Sequence, residues 1–371
     1  MTQTRRDLLK TAAGAAAASA LGTSRILTGA EPKTLLVLGG TRFLGPAVVE
    51  AARKKGWKIS LFNRGRSNPT WFPELEHLHG DRNGDLKSLE GRSWDFVVDT
   101  SGFVPRLVKD SATLLAPRVS QYVFVSSISV FKNLSKPGVD ESGPVAILDD
   151  PTVEKVDGKT YGGLKALCEK AAEAAMPGRV TNVRPGLIVG PDDGTDRFTY
   201  WPVRVSKGGE VLAPNRPEDP VQFIDVRDLG SWIAKSLEAK AVGVFNVTGN
   251  PLPVGTLLDT CKAVSGSDAR FTWVPAPFLE AQKVSEWSDL PCWVSPEGED
   301  AGGNKVSNAK AVGKGLVFRP LKETCADTLA WWKKQPEERR AKLRAGLPAD
   351  REAAVLAAWH EAQAKKAPKA G

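Results

Sequence analysis

Tyr161 and Lys165 stand four positions apart, so a helix through them sets a phenol and an ammonium on one face. A phenol with an ordinary pKa of about 10 is a poor base at neutral pH. A neighbouring positive charge stabilises its phenolate and brings proton transfer within reach. Ser127 follows the apolar run 122–125, at the carboxyl end of a predicted strand, where its hydroxyl can orient an alcohol or a ketone. A third group, Gly39-Gly40-Thr41-Arg42-Phe43-Leu44-Gly45, lies between an apolar run at 34–38 and a helical pattern at 44–55. Glycines in that setting allow a tight turn and a close backbone approach to a pyrophosphate, with free helix N–H groups facing it.

The glycine turn therefore predicts a bound dinucleotide, and the next apolar run bears on which one. Residues 58–62 lead into Asn63-Arg64-Gly65-Arg66, with no acid to hold a ribose 2′-hydroxyl or repel a 2′-phosphate. Arg64 and Arg42 can pair with such a phosphate, which favours NADP(H) over NAD(H).

The elements that must position these residues alternate. Strands are predicted at 34–38, 58–62, 75–79, 96–99, 122–125 and 180–183, with helices at 44–55, 104–115 and 161–175. That rhythm argues for right-handed βαβ units and a parallel sheet covered on both faces. After Pro185 it breaks: 186–220 is rich in Gly, Pro, Asp and Trp and reads as a pocket wall. A helix at 226–237 and a strand at 244–247 return to the sheet. Within the wall, 192–204 mixes aromatics with charge, and Arg197, Tyr200, Trp201 and Arg204 are candidates for holding a substrate. An aromatic-packed loop–helix junction is the other reading of the same residues. Trp287 and Trp293 carry weaker support.

Composition narrows the function classes. The chain has 371 residues, 41% hydrophobic and 25% charged, as in an ordinary globular protein with room for two domains. Its formal charge of +8 is confined to the ends: residues 1–30 carry +3 and 333–371 carry +5, and the 302 residues between them are neutral. The body offers no net attraction for a phosphate backbone, so no nucleic-acid partner is expected. The four cysteines and three histidines show no metal-site spacing, and no metal is expected. Thr4-Arg5-Arg6-Asp7-Leu8-Leu9-Lys10 precedes a mild run of alanines and glycines, too short to span a bilayer. Residues 1–30 resemble a twin-arginine export signal, which implies passage through the Tat translocase and a periplasmic or otherwise exported protein. Without a working signal the protein would be cytoplasmic.

Taken in order, the glycine turn, Gly80-Asp81-Arg82, Val125-Ser126-Ser127, Tyr161-Gly162-Gly163-Leu164-Lys165, Arg184-Pro185-Gly186 and Gln222-Phe223-Ile224-Asp225-Val226 resemble the extended short-chain dehydrogenase/reductases, the NAD-dependent epimerase/dehydratase family. The likeness runs over residues 34–332. It implies an α/β fold: a Rossmann-type doubly wound parallel sheet over 31–185, joined by 221–248, with a smaller mixed α/β substrate region formed by 186–220 and 249–332. Residues 333–371 read as a charged, solvated or loosely docked tail. The resemblance implies Ser127, Tyr161 and Lys165 as catalytic residues. It implies Gly39, Gly40, Thr41, Arg42, Phe43, Leu44, Gly45, Asn63, Arg64, Asp81 and Arg82 as the cofactor site, with Asp81 at the adenine amine. Homodimerisation through the helix of Tyr161 is a family expectation. Three positions depart from the pattern. Arg42 replaces a usual glycine, and Phe131 replaces a usual tyrosine. Ile128 and Ser129 stand where the sugar-nucleotide 4,6-dehydratases carry Asp and Glu, which disfavours that dehydration.

The expected activity is oxidation or reduction of a sugar-like alcohol or ketone, with epimerisation on a tightly retained cofactor as the form best suited to an exported enzyme. A cytoplasmic NADPH-dependent carbonyl reductase and a non-catalytic dinucleotide- or RNA-binding relative are the alternatives.

Overall fold

Leu35, Leu36, Val37 and Leu38 are each fully sealed from solvent, as a strand buried on both faces requires. They belong to β1 (Thr34–Leu38), an interior strand of the sheet in the computed structural model, which describes residues 31–366. The export signal read on residues 1–30 lies outside the described residues. After β1 come α1 (Leu44–Arg53), β2 (Lys58–Asn63), β3 (Glu76–His79), β4 (Trp94–Asp99), α2 (Pro105–Leu115), β5 (Val119–Val125), α3 (Tyr161–Ala175) and β6 (Val180–Pro185).

The chain continues through β7 (Leu187–Val189), α4 (Tyr200–Ser206), β8 (Glu210–Pro214), β9 (Pro220–Val221) and β10 (Phe223–Asp225). It returns to the sheet through α5 (Val226–Glu238) and β11 (Gly243–Val247). The sheet runs β3-β2-β1-β4-β5-β6-β11, every pair parallel. Alternation along β1 sends Leu35 and Val37 into a core shared with α1 and α5. Leu36 and Leu38 enter a second core against α2 and α3. Strand order reverses between β1 and β4, and in such sheets a crevice opens beyond the carboxyl ends of those two strands.

A separate core collects β12 (Leu252–Pro253), α6 (Val254–Ser265), β13 (Arg270–Val274) and α7 (Ala276–Ala281) with β8 and α4. The segment 186–220, read from sequence as pocket wall, contributes most of its aromatics to this core instead. Phe198 and Trp201 are fully buried there.

Beyond α8 (Ala309–Gly313) and α9 (Leu321–Lys333) lie α10 (Glu337–Arg340) and α11 (Ala349–Lys366). The tail is therefore not solvated: α11 buries Val355 and Leu356, sets Trp359 edge-on to Phe278 at 5.0 Å, and pairs its buried Glu352 with Arg204. The partners of this helix lie some 80 to 150 positions upstream, so its docking leaves no local mark in the sequence. Among the described residues no helix is long and apolar enough to cross a membrane.

Candidate active site

The crevice at the reversal point is a cleft of about 850 Å³. The loop after β1 forms one wall. Gly45 is required there, because a Cβ on it would lie 2.5 Å from the Gly39 carbonyl oxygen and 2.6 Å from the Gly40 carbonyl carbon. The first turn of α1 thus presses directly on the glycine loop, with the Gly45 N–H donated to the Arg42 carbonyl at 3.0 Å. Phe43 caps that helix at φ +46°, a left-handed conformation costly for an aromatic residue, and it lines the cleft. Thr41, Arg42 and Leu44 line it too, while Gly40 and Gly45 stand behind.

At the end of β2, Asn63 accepts from the Gly65 N–H at 2.8 Å, and its buried amide nitrogen has no partner. Arg64 is half exposed and approaches Asp81 at 4.0 Å. Arg82 behaves otherwise. Its guanidinium turns inward, donating to Asp99 at 2.6 Å and to Ser111 at 2.7 Å, and Tyr122 donates to the same carboxylate at 2.8 Å. Sequence reading placed Arg82 at the cofactor; in the structure its hydrogen-bonding nitrogens anchor β4 to α2.

At the other end of the cleft stand Ser127, Tyr161 and Lys165. Ser127 follows β5 and accepts from the Ser129 N–H at 3.0 Å, which caps a short turn over Ile128–Val130. Helix α3 begins at Tyr161 and leans on that turn. A Cβ at Gly162 would fall 2.1 Å from the Ser129 carbonyl oxygen, so only glycine lets the helix come this close. That contact brings the phenol beside the Ser127 hydroxyl.

The electrostatics differ from the sequence expectation. Lys165, one turn along, is buried and donates to the carbonyls of Gly102 and Val125, both at 2.6 Å. Its ammonium lies 4.2 Å from the Phe124 ring centroid. Burial pulls its pKa down to about 8. Two of its three protons are engaged, and one is left for the cleft. Burial raises the Tyr161 pKa above its ordinary value, while the Ser127 hydroxyl and the charge of Arg197 oppose the rise. Arg197 is a cation whose charge acts on the phenol in this arrangement.

Of the four substrate candidates, Arg197 alone lines the cleft. Tyr200 and Trp201 are buried, with Trp201 donating to the Pro291 carbonyl at 2.6 Å. Arg204 is consumed by Glu352 and by the Gly208 and Glu210 carbonyls. Helix α4 turns these side chains away from the cleft, and the wall is made by Asp193, Gly194, Thr195, Arg197 and Trp287 instead. Sequence reading missed Thr100, Ser101 and Phe103 after β4, and Ser126 after β5. Their signal was position, since ligand-facing residues of such sheets follow the carboxyl ends of the strands flanking the reversal.

No family model matches the chain. It is 26% identical over 235 residues to the chloroplast stem-loop binding protein of 41 kDa b of Arabidopsis thaliana, across 58% of this chain and 59% of that protein. The chain thus matches little more than half the length of that relative. It is 26% identical over 270 residues to the epimerase family protein SDR39U1 of Mus musculus, across 67% of this chain and 86% of that one. Among solved structures, Bordetella bronchiseptica WbmG in complex with NAD and UDP matches with a TM-score of 0.60 at 16% identity, over 83% of this chain and 96% of WbmG. Human SDR39U1 (isoform 2) with NADPH matches with a TM-score of 0.55 at 19% identity, over 80% of this chain and 99% of that structure. The chain has the Rossmann-type fold of the NAD(P)-dependent epimerases, and WbmG and human SDR39U1 among its solved neighbours hold NAD and NADPH respectively.

Proposed function

We propose that this chain is an NAD(P)-dependent epimerase-type enzyme acting on a sugar-like alcohol or ketone. One observation carries the reading: Ser127, Tyr161 and Lys165 meet at the end of a cleft whose other end is a glycine loop under a helix N-terminus. The cleft fits a dinucleotide. Its floor is glycine where a side chain would collide, and the buried Asn63 amide and Ser126 hydroxyl lack partners within the protein. The glycine loop would take the pyrophosphate, Asp81 the adenine, and Arg64 with Arg42 a 2′-phosphate, which favours NADP(H). When bound, the nicotinamide supplies hydride transfer. Tyr161 exchanges the proton of the substrate oxygen, Ser127 orients that oxygen, and the remaining Lys165 proton holds ribose hydroxyls near the phenol.

The paired arginines at Arg5 and Arg6 support export of the folded protein. Outside the cytoplasm no pool of reduced dinucleotide is at hand, so a retained cofactor that is reduced and reoxidised within each cycle fits best. A mass spectrum of the protein purified from the periplasmic fraction tests this: one NADP(H) per chain is expected. Apo-protein active only on added NADP(H) would overturn retention, and a protein found only in the cytoplasm would favour a carbonyl reductase. A second reading, a non-catalytic RNA-binding protein, draws on the name of the Arabidopsis relative. The neutral body and the intact Ser127, Tyr161 and Lys165 set weigh against it, and a stem-loop RNA shift assay discriminates.

A further inference from the structure

Arg197 is a cation in the cleft whose terminal nitrogens no described carboxylate pairs with. Its Nε donates to the Thr195 hydroxyl at 3.2 Å, which leaves the fork of the guanidinium free. It lies over the indole of Trp287, 5.4 Å from the ring centroid. Trp287 is 36% exposed, lines the cleft, and holds a left-handed backbone at φ +61°. For a bulky aromatic residue that conformation is strained, and such strain gathers at ligand sites.

The mount of the arginine is rigid. Asp196 beside it is fully buried and accepts from the Arg344 N–H at 2.9 Å and from the Arg339 guanidinium. Arg344 also donates to the Gly194 carbonyl at 2.7 Å, and Trp331 donates to Asp192 at 2.9 Å. Arg204, in the same stretch of sequence, is neutralised by Glu352, whereas Arg197 is held still and left unpaired. A planar fork with free donors matches a carboxylate or phosphate, and an indole face suits the apolar face of a ring.

We propose that Arg197, backed by Trp287, binds an oxyanion of the substrate beside the carbon that Tyr161 serves, so that the substrate is an acidic sugar-like alcohol and not a neutral one. This rests on the reading of the cleft given above. Arg197 and Trp287 line the same cleft as Ser127 and Tyr161, and the charge of the guanidinium acts on the Tyr161 phenol, which sets the anion toward the reacting end.

Isothermal titration of the protein saturated with NADP⁺ tests it, with glucuronate, glucose 6-phosphate and glucose as probes. At least one anion is expected to bind about tenfold more tightly than glucose, and whichever does so identifies carboxylate or phosphate. Arg197→Ala erases that preference, Arg197→Lys keeps part of it, and Trp287→Ala weakens every probe alike, with melting temperatures unchanged. Glucose bound as tightly as both anions, no binding of either anion, or a preference that survives Arg197→Ala would overturn the proposal. A separate NADP⁺ titration without sugar keeps the two readings apart. Loss of dinucleotide binding there sinks the cofactor assignment, whereas its persistence without anion preference sinks only this one.

Discussion

Lys165 makes stability depend on pH. Buried and hydrogen-bonded to two carbonyls, it loses its proton near pH 8 in the native protein, whereas in the unfolded chain it holds it to about 10.5. Between those values the unfolded chain binds the extra proton, so the Lys165 contribution makes stability rise with pH through that window. Urea midpoints measured across the window should show this rise in the wild type and lose it in Lys165→Met. Tyr161 is the residue whose loss should stop chemistry without disturbing binding. Tyr161→Phe is expected to lower turnover about 10²- to 10⁴-fold and to leave NADP⁺ affinity unchanged, read by steady-state rates beside a binding titration. Unchanged turnover would remove the phenol from the mechanism. The spacing of Tyr161 and Lys165 was plain in the sequence. The approach of Arg197 to the same cleft was not, because it arrives from a loop 36 positions away.

Two glycine contacts join elements at the site. Gly162 lets α3 rest on the turn after β5, and Gly45 lets α1 rest on the glycine loop. The neighbours at Gly45 are backbone atoms, which cannot swing aside as a side chain would. Gly45→Ala is expected to push α1 off the loop, costing about 1–3 kcal/mol of stability and at least tenfold (about 1.4 kcal/mol) in NADP⁺ affinity. Thermal melts and a cofactor titration check both, and a variant that binds normally would show that the loop does not need this closeness. The βαβ order and the extent of α3 were legible from apolar runs and glycines. The role of α4 was not: Tyr200 and Trp201 look the same in sequence whether they face a sugar or a core.

Across the whole molecule, the C-terminal segment holds one wall of the cleft. Arg339 and Arg344 fix the loop of Arg197 through Asp196, and Glu352 binds Arg204 and the Leu212 N–H from 140 or more positions away. Glu352→Ala leaves the part-buried Arg204 without its anion and the Leu212 N–H without its acceptor, and is expected to destabilise the fold by about 1–3 kcal/mol. Denaturant titration measures this, and a cost near zero would mean that α11 is dispensable to the core.

By itself the sequence determined the sheet, the glycine loop and the serine, tyrosine and lysine that meet above it, because these depend on periodicity and on spacings of a few residues. Only the tertiary structure decided which arginine stays free, that Arg82 at the cleft is tied to Asp99 and Ser111, and that the charged tail is a docked helix. Those outcomes turn on which opposite charge or apolar face lies nearest in space, and the partners concerned are 15 to 150 positions apart along the chain.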